Sequence, residues 1–241
     1  MLSPTTTNRL LLLLTIPFFV LAERCGTDED GGESGPEMAA EVGADLGHME
    51  EGPEQADVDS AVHAAFLENL SVHCGEAFPG RLMLTPEGDD MLTGTEELLV
   101  HFRDCEEDEV RIPFHVEVEA DDSWDRSRTW VVTRVTQGLE LRHDHREPDG
   151  SESTRTWYGG FSVGEGTPTR QDFSSPERTE AAGVPVGWRI EIEPGVHYRY
   201  GTTFDGEFDW MIEFDLSSPM AEPIPPVWGA DTPPSRIPGP P

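Results

Sequence analysis

The sequence predicts an all-β domain, an antiparallel meander of about eight to ten short strands preceded by one helix. Three observations predict it. From Thr129 to Val135 the chain is rich in β-branched and aromatic residues, which suit a pleated, half-buried surface. After the turn at Gln137-Gly138, Leu139, Leu141, His143, His145 and Glu147 alternate strictly with Glu140, Arg142, Asp144 and Arg146. Pro148-Asp149-Gly150 then supplies a second turn, and Ser153 to Tyr158 returns. Successive hairpins of this kind predict a closed up-and-down barrel in preference to a sandwich, whose crossings need longer connections.

Taken in order, residues 1–22 carry one cation, Arg9, and then an apolar run from Leu10 to Ala22. That run is short for a bilayer span and reads as a signal-peptide core. Cleavage after Ala22 would leave Glu23 at the new terminus, whereas Cys25-Gly26 stands where the acylated cysteine of a bacterial lipoprotein would stand. Residues 23–59 are dense in Asp, Glu and Gly and short of large apolar side chains, the composition of a disordered acidic spacer.

A folded domain is predicted over 60–217. Ser60 can cap a helix whose Val62, Phe66, Leu70 and Cys74 share one face, and Gly75 stops it. Strands follow at Arg81–Thr85, at Leu98–Cys105 with Leu98, Val100 and Phe102 on one side, and at Arg111–Glu119. Pro113, which cannot donate to a ladder, fits an edge or a bulge. Residues 164–186 read as mostly irregular. Beyond them Trp188, Ile190 and Ile192 alternate with charges, Val196, Tyr198 and Tyr200 return after Pro194-Gly195, and Phe208, Trp210, Ile212, Phe214 and Leu216 form the last apolar face. Residues 218–241 are proline-rich and read as an extended, disordered tail.

The formal net charge of the full chain is -32, and all 16 cationic residues are arginine. Repulsion among so many carboxylates is screened at molar salt, which makes the composition that of a salt-adapted protein. It argues against nucleic acid and anionic lipid as partners, because no basic cluster is present to release cations from phosphate. Contact with a membrane is then expected only through a lipid on Cys25. In an exported chain Cys74 and Cys105 are expected to pair.

The sequence carries no nucleophile-elbow, zincin, Cys-x-x-Cys or phosphate-loop motif. His143 and His145 form a His-x-His pair on one strand face, spacing that can direct two imidazoles at one divalent metal, with Glu147, His101, His115 or His197 as further donors. The competing expectation is that these histidines are hydrogen-bonded at a barrel rim and that no cofactor is bound. Arg128, Arg142, Arg146 and Arg155 gather around the meander, either to hold an anion or to pair with neighbouring acids.

The runs HCGEAFPGR, RIPFHV, RSRTW, LRHDHREPDGS and WYGG resemble a group of bacterial secreted or lipoprotein-like proteins of uncharacterised activity. The resemblance covers roughly Phe66 to Leu216 and implies export without transferring a catalytic residue. In outline a helix followed by a β meander is also similar to the lipocalin-like barrels. The function expected on these grounds is that of a cell-envelope domain, periplasmic, outer-membrane or secreted, binding a small apolar ligand or an envelope protein. The alternative is a metal-binding protein or metal-dependent enzyme using His143 and His145.

Overall fold

A computed structural model describes residues 53–230 apart from 119, 121, 122, 222 and 223, with side chains from Ser60 onward. The predicted signal peptide, Cys25 and most of the acidic spacer lie outside the described residues. In chain order the elements are α1 (Pro53–Ser71), β1 (Ala77–Leu84), β2 (Leu98–His101), β3 (Asp104–Cys105), β4 (Glu109–Val118), β5 (Ser123–Val135), β6 (Gly138–His145), β7 (Tyr158–Thr167), β8 (Arg170–Ser174), α2 (Pro176–Ala182), β9 (Val186–Glu193), β10 (His197–Phe204) and β11 (Glu207–Asp215).

From β4 to β11 each strand pairs antiparallel with the next, β11 pairs with β1, β1 with β2, and β2 with β4. Ten strands therefore close on themselves, and the two-residue β3 adds outside the ring on β4. The predicted barrel forms, lipocalin-like in outline, and closure leaves the ring without an open edge. Pro113 sits where β4 passes from pairing with β3, through Arg111, to pairing with β2, from Phe114, so no ladder bond on that side is missed.

Alternation sets the interior. Ile112, Val132, Leu139, Leu141, Ile190, Tyr198, Ile212 and Phe214 are fully or almost fully buried, each the inward member of its strand. Phe66 and Leu70 of α1 complete this core, with Leu67 and His63 also buried. The disulfide between Cys74 and Cys105 joins the turn after α1 to β3, with the Cα atoms 6.1 Å apart. Closing a loop over a sequence separation of 31 removes unfolded-state entropy worth about 3 to 4 kcal/mol.

The structure departs from the sequence reading at five places. The helix is already formed at Pro53, the first described residue, ahead of the expected start at Ser60. The first strand starts earlier, at Ala77, because Ala77–Gly80 pairs with Leu98–His101. Residues 164–186 are largely ordered into the end of β7, β8 and α2, which tertiary pairing with β9 supports and local composition does not announce. Val196 stays in the β9–β10 turn and is 49% exposed. Phe208 faces outward: a register shift between Thr202 and Thr203 pairs it with Thr203, and one extra residue reverses the face of everything before it. There it lies beneath the Arg189 guanidinium, 5.1 Å away, and against Gly201, where any side chain would collide with its ring.

The proline-rich segment is not detached at its start. Met220 N–H donates to Ala77 O at 2.8 Å, Pro225 O lies 2.9 Å from His115 Nε2, and Arg126 donates to Pro226 O at 2.7 Å and faces the Trp228 ring. The Met220 contact is at the start of β1, and the others lie on the outer face of the barrel around β4 and β5. They help to explain why His101 and His115, both pointing away from the core, are buried.

Candidate functional site

In a meander barrel the connections fall alternately at the two ends. The helix α1 occupies the end with the β5–β6, β7–β8 and β9–β10 turns: Asn69 Nδ2 donates to Pro168 O at 2.8 Å, and Gly195 N–H donates to His73 Nε2 at 3.0 Å. The opposite end carries the β1–β2, β6–β7 and β8–β9 connections, and there the packed interior gives way to a cavity of about 520 Å³.

The cavity wall is aromatic. Trp130, Tyr158, Trp188, Tyr200 and Trp210 line it, with Phe114 and Leu92 at the side. Trp130 stacks on Tyr200 with ring centroids 4.1 Å apart and on Phe114 at 5.1 Å. Such pairs hold one another in place, so the wall is preformed. Tyr158 reaches its position because Gly159 and Gly160 let three strands approach: a Cβ on Gly159 would stand 1.8 Å from Leu141 O, and one on Gly160 1.7 Å from Ser174 O.

His143 is structural in this arrangement. Its Nδ1 faces Tyr158 O at 3.0 Å and its Nε2 faces the Tyr200 hydroxyl at 2.5 Å. A carbonyl can only accept, so Nδ1 carries the proton and Nε2 accepts from the phenol. Burial lowers the imidazole pKa to about 3, against which the Tyr158 carbonyl works only partly, so the ring is neutral at ordinary pH. The Tyr158 ring lies parallel to it, 7° off plane at 4.5 Å. His145, half-buried on the same wall, places Nε2 3.2 Å from the Tyr158 hydroxyl, and burial together with nearby Arg128 lowers its pKa.

The two histidines are thus brought to one wall, as the alternation predicts, while the rest of the proposed metal set is not brought to them. Glu147 lies beyond the end of β6, exposed, with its N–H on Ser151 O. His115 bonds the C-terminal segment outside the barrel, His101 is on the outer side of β2, and His197 is at the other end of β10. Among the described residues no group of three His, Cys, Asp or Glu has metal-binding geometry. Metal ligation by His143 would break one of its two hydrogen bonds.

Around the cavity rim stand Arg128, Arg155 and Arg178 with Asp125 and Glu177. Arg128 donates to Asp125 at 2.5 Å, and although burial pushes the Asp125 carboxyl up, Arg128 and Ser127 hold it below its ordinary value. Of the arginines singled out in the sequence, Arg142 pairs with Glu140 and Arg146 with Asp144 on the outer face. Sequence reasoning missed Arg178, which arrives on α2, and Met91 and Leu92, which arrive on the long β1–β2 connection; none has a periodicity that marks it.

Comparison with protein-family models, with curated proteins and with solved structures returned no match. The fold alone does not imply an activity, so function has to be read from the cavity's own chemistry.

Proposed function

We propose that the protein is an exported cell-envelope domain that binds, without transforming, a small and largely apolar ligand at the open end of its barrel. The observation that carries this is the cavity of about 520 Å³ lined by six aromatic side chains, Phe114 among them. Its size is that of small-molecule sites, which run from about 300 to 1,000 Å³. His143, the strongest catalytic or metal candidate in the sequence, is engaged in holding Tyr158 and Tyr200. Titration with 1-aminoanthracene, a neutral apolar dye, tests the reading. One saturable site per chain is expected, weakened in Met91→Trp, where a large ring is placed at the cavity margin. Absence of saturable binding would overturn it.

Export is supported by the Cys74–Cys105 disulfide, which fits an oxidising compartment, and by the apolar leader and the resemblance to secreted or lipoprotein-like proteins. Mass spectrometry of protein recovered from its native cells checks it. A chain starting at Glu23, or one with an acylated Cys25, is expected; an intact chain with both thiols reduced sinks the idea.

A further inference from the structure

We propose that the ligand is an amphipathic anion, a flat apolar body with one carboxylate head, whose head is taken by Arg155 and Arg178 at the cavity rim. This rests on the ligand-binding reading above and names the class of ligand.

The chemistry begins with the arginines that are already satisfied. In a chain with net charge -32, guanidinium groups have carboxylates in excess. Arg81 and Arg199 share Glu213, Arg170 and Arg189 share Asp172, and Arg142 and Arg146 pair beside their own strand. Arg155 and Arg178 make no ion pair among the described residues. Each instead lies over a ring of the cavity wall, Arg155 over Tyr158 at 5.1 Å and Arg178 over Trp188 at 5.8 Å. Both side chains line the cavity, and with Arg128 they put three cations against Asp125 and Glu177 at this rim.

All three guanidiniums act on one phenol, and Arg155 lies over its ring. Burial raises the Tyr158 pKa, and Arg155, Arg128 and Arg178 all act against that rise. Since Asp125 already neutralises Arg128, Arg155 and Arg178 face one further acid at the mouth, Glu177, and a positive balance remains there. Burial and Arg128 both disfavour a charge on neighbouring His145. A planar guanidinium offers a donor fork that matches a carboxylate, while Tyr158, Trp188 and Trp130 offer faces for a flat ring below it. A cationic ligand would meet a net positive entrance. A neutral ligand would leave the two guanidiniums unused.

Calorimetry with 2-naphthoate and its neutral isostere 2-naphthamide separates head from body. In wild type the carboxylate is expected to bind about tenfold more tightly than the amide, the worth of one charge-assisted hydrogen bond. In Arg155→Gln with Arg178→Gln that preference should vanish while naphthamide still binds. Both side chains are exposed, so the fold should tolerate the change, and an unaltered melting temperature confirms it. Arg81→Gln, exposed and distant from the cavity, should keep the preference. Equal binding of the two compounds in wild type, or a preference that survives in the double variant, overturns the inference and leaves the cavity reading intact. Failure of both compounds to bind overturns the two together.

Discussion

At the scale of single residues, His143 and His101 make acid sensitivity a built-in property. Burial holds His143 near about 3 and His101 near about 4, both from an ordinary value of 6.5. The unfolded chain therefore binds protons at these sites before the folded one does, and stability falls as pH drops below about 6.5. The contribution is fully present above that value and is lost progressively toward pH 4 and then 3. Within the window each group contributes a slope of about 1.4 kcal/mol per pH unit. Protonation of surplus carboxylates has the opposite sign, because it relieves repulsion, but it sets in mainly below about pH 5. The urea midpoint should thus fall between pH 7 and pH 5.5, and His143→Gln should show a shallower fall. Parallel pH profiles for the two proteins would show that His143 is not the cause.

Among elements, the helix end and the short outer strand depend on one another through Cys74 and Cys105. The loop they close includes β1 and β2, so the bridge restrains the part of the ring where β2 completes closure onto β4. Replacing both cysteines by serine should lower stability by about 3 to 4 kcal/mol. Guanidinium unfolding of oxidised wild type and the double variant measures it, and equal midpoints would show the bridge to be thermodynamically idle. The bulge opposite Thr202–Thr203 works differently. By turning Phe208 outward it removes one aromatic from the cavity end, where Trp210, the next inward residue, lines the opening instead.

For the whole molecule the dominant question is charge. Ion pairs such as Arg81–Glu213–Arg199–Glu191 cross four adjacent strands on the outer face, yet exposed pairs contribute only about 0 to 1 kcal/mol each. They cannot offset an excess of 48 acidic residues over 16 arginines. Self-repulsion should destabilise the folded chain in dilute buffer and be relieved as the screening length falls to about 3 Å near 1 M salt. Melting temperature should therefore rise steeply with sodium chloride and much less with a neutral osmolyte at matched osmolality, since the osmolyte strengthens burial without screening. A melting temperature indifferent to sodium chloride would remove the case for salt adaptation.

The sequence by itself determined the strand class, the turns at Gly138, Gly150 and Gly195, and most of the inward faces, because a period of two writes burial directly onto residue order. It placed His143 and His145 on the correct wall for the same reason. It also carried the cysteine pairing, which needs only an oxidising setting and two partners. Which strands close the expected barrel was a tertiary decision: that β11 meets β1 depends on strands far apart in sequence, and that β2 meets β4 passes over the intervening β3, which no local pattern encodes. The face of Phe208 was another, since one bulged residue reverses parity without any mark in composition. The cavity was the third. Arg155, Arg178, Met91 and Leu92 stand on three separate connections, and only the alternation of barrel ends brings them to one rim, opposite the end that α1 fills.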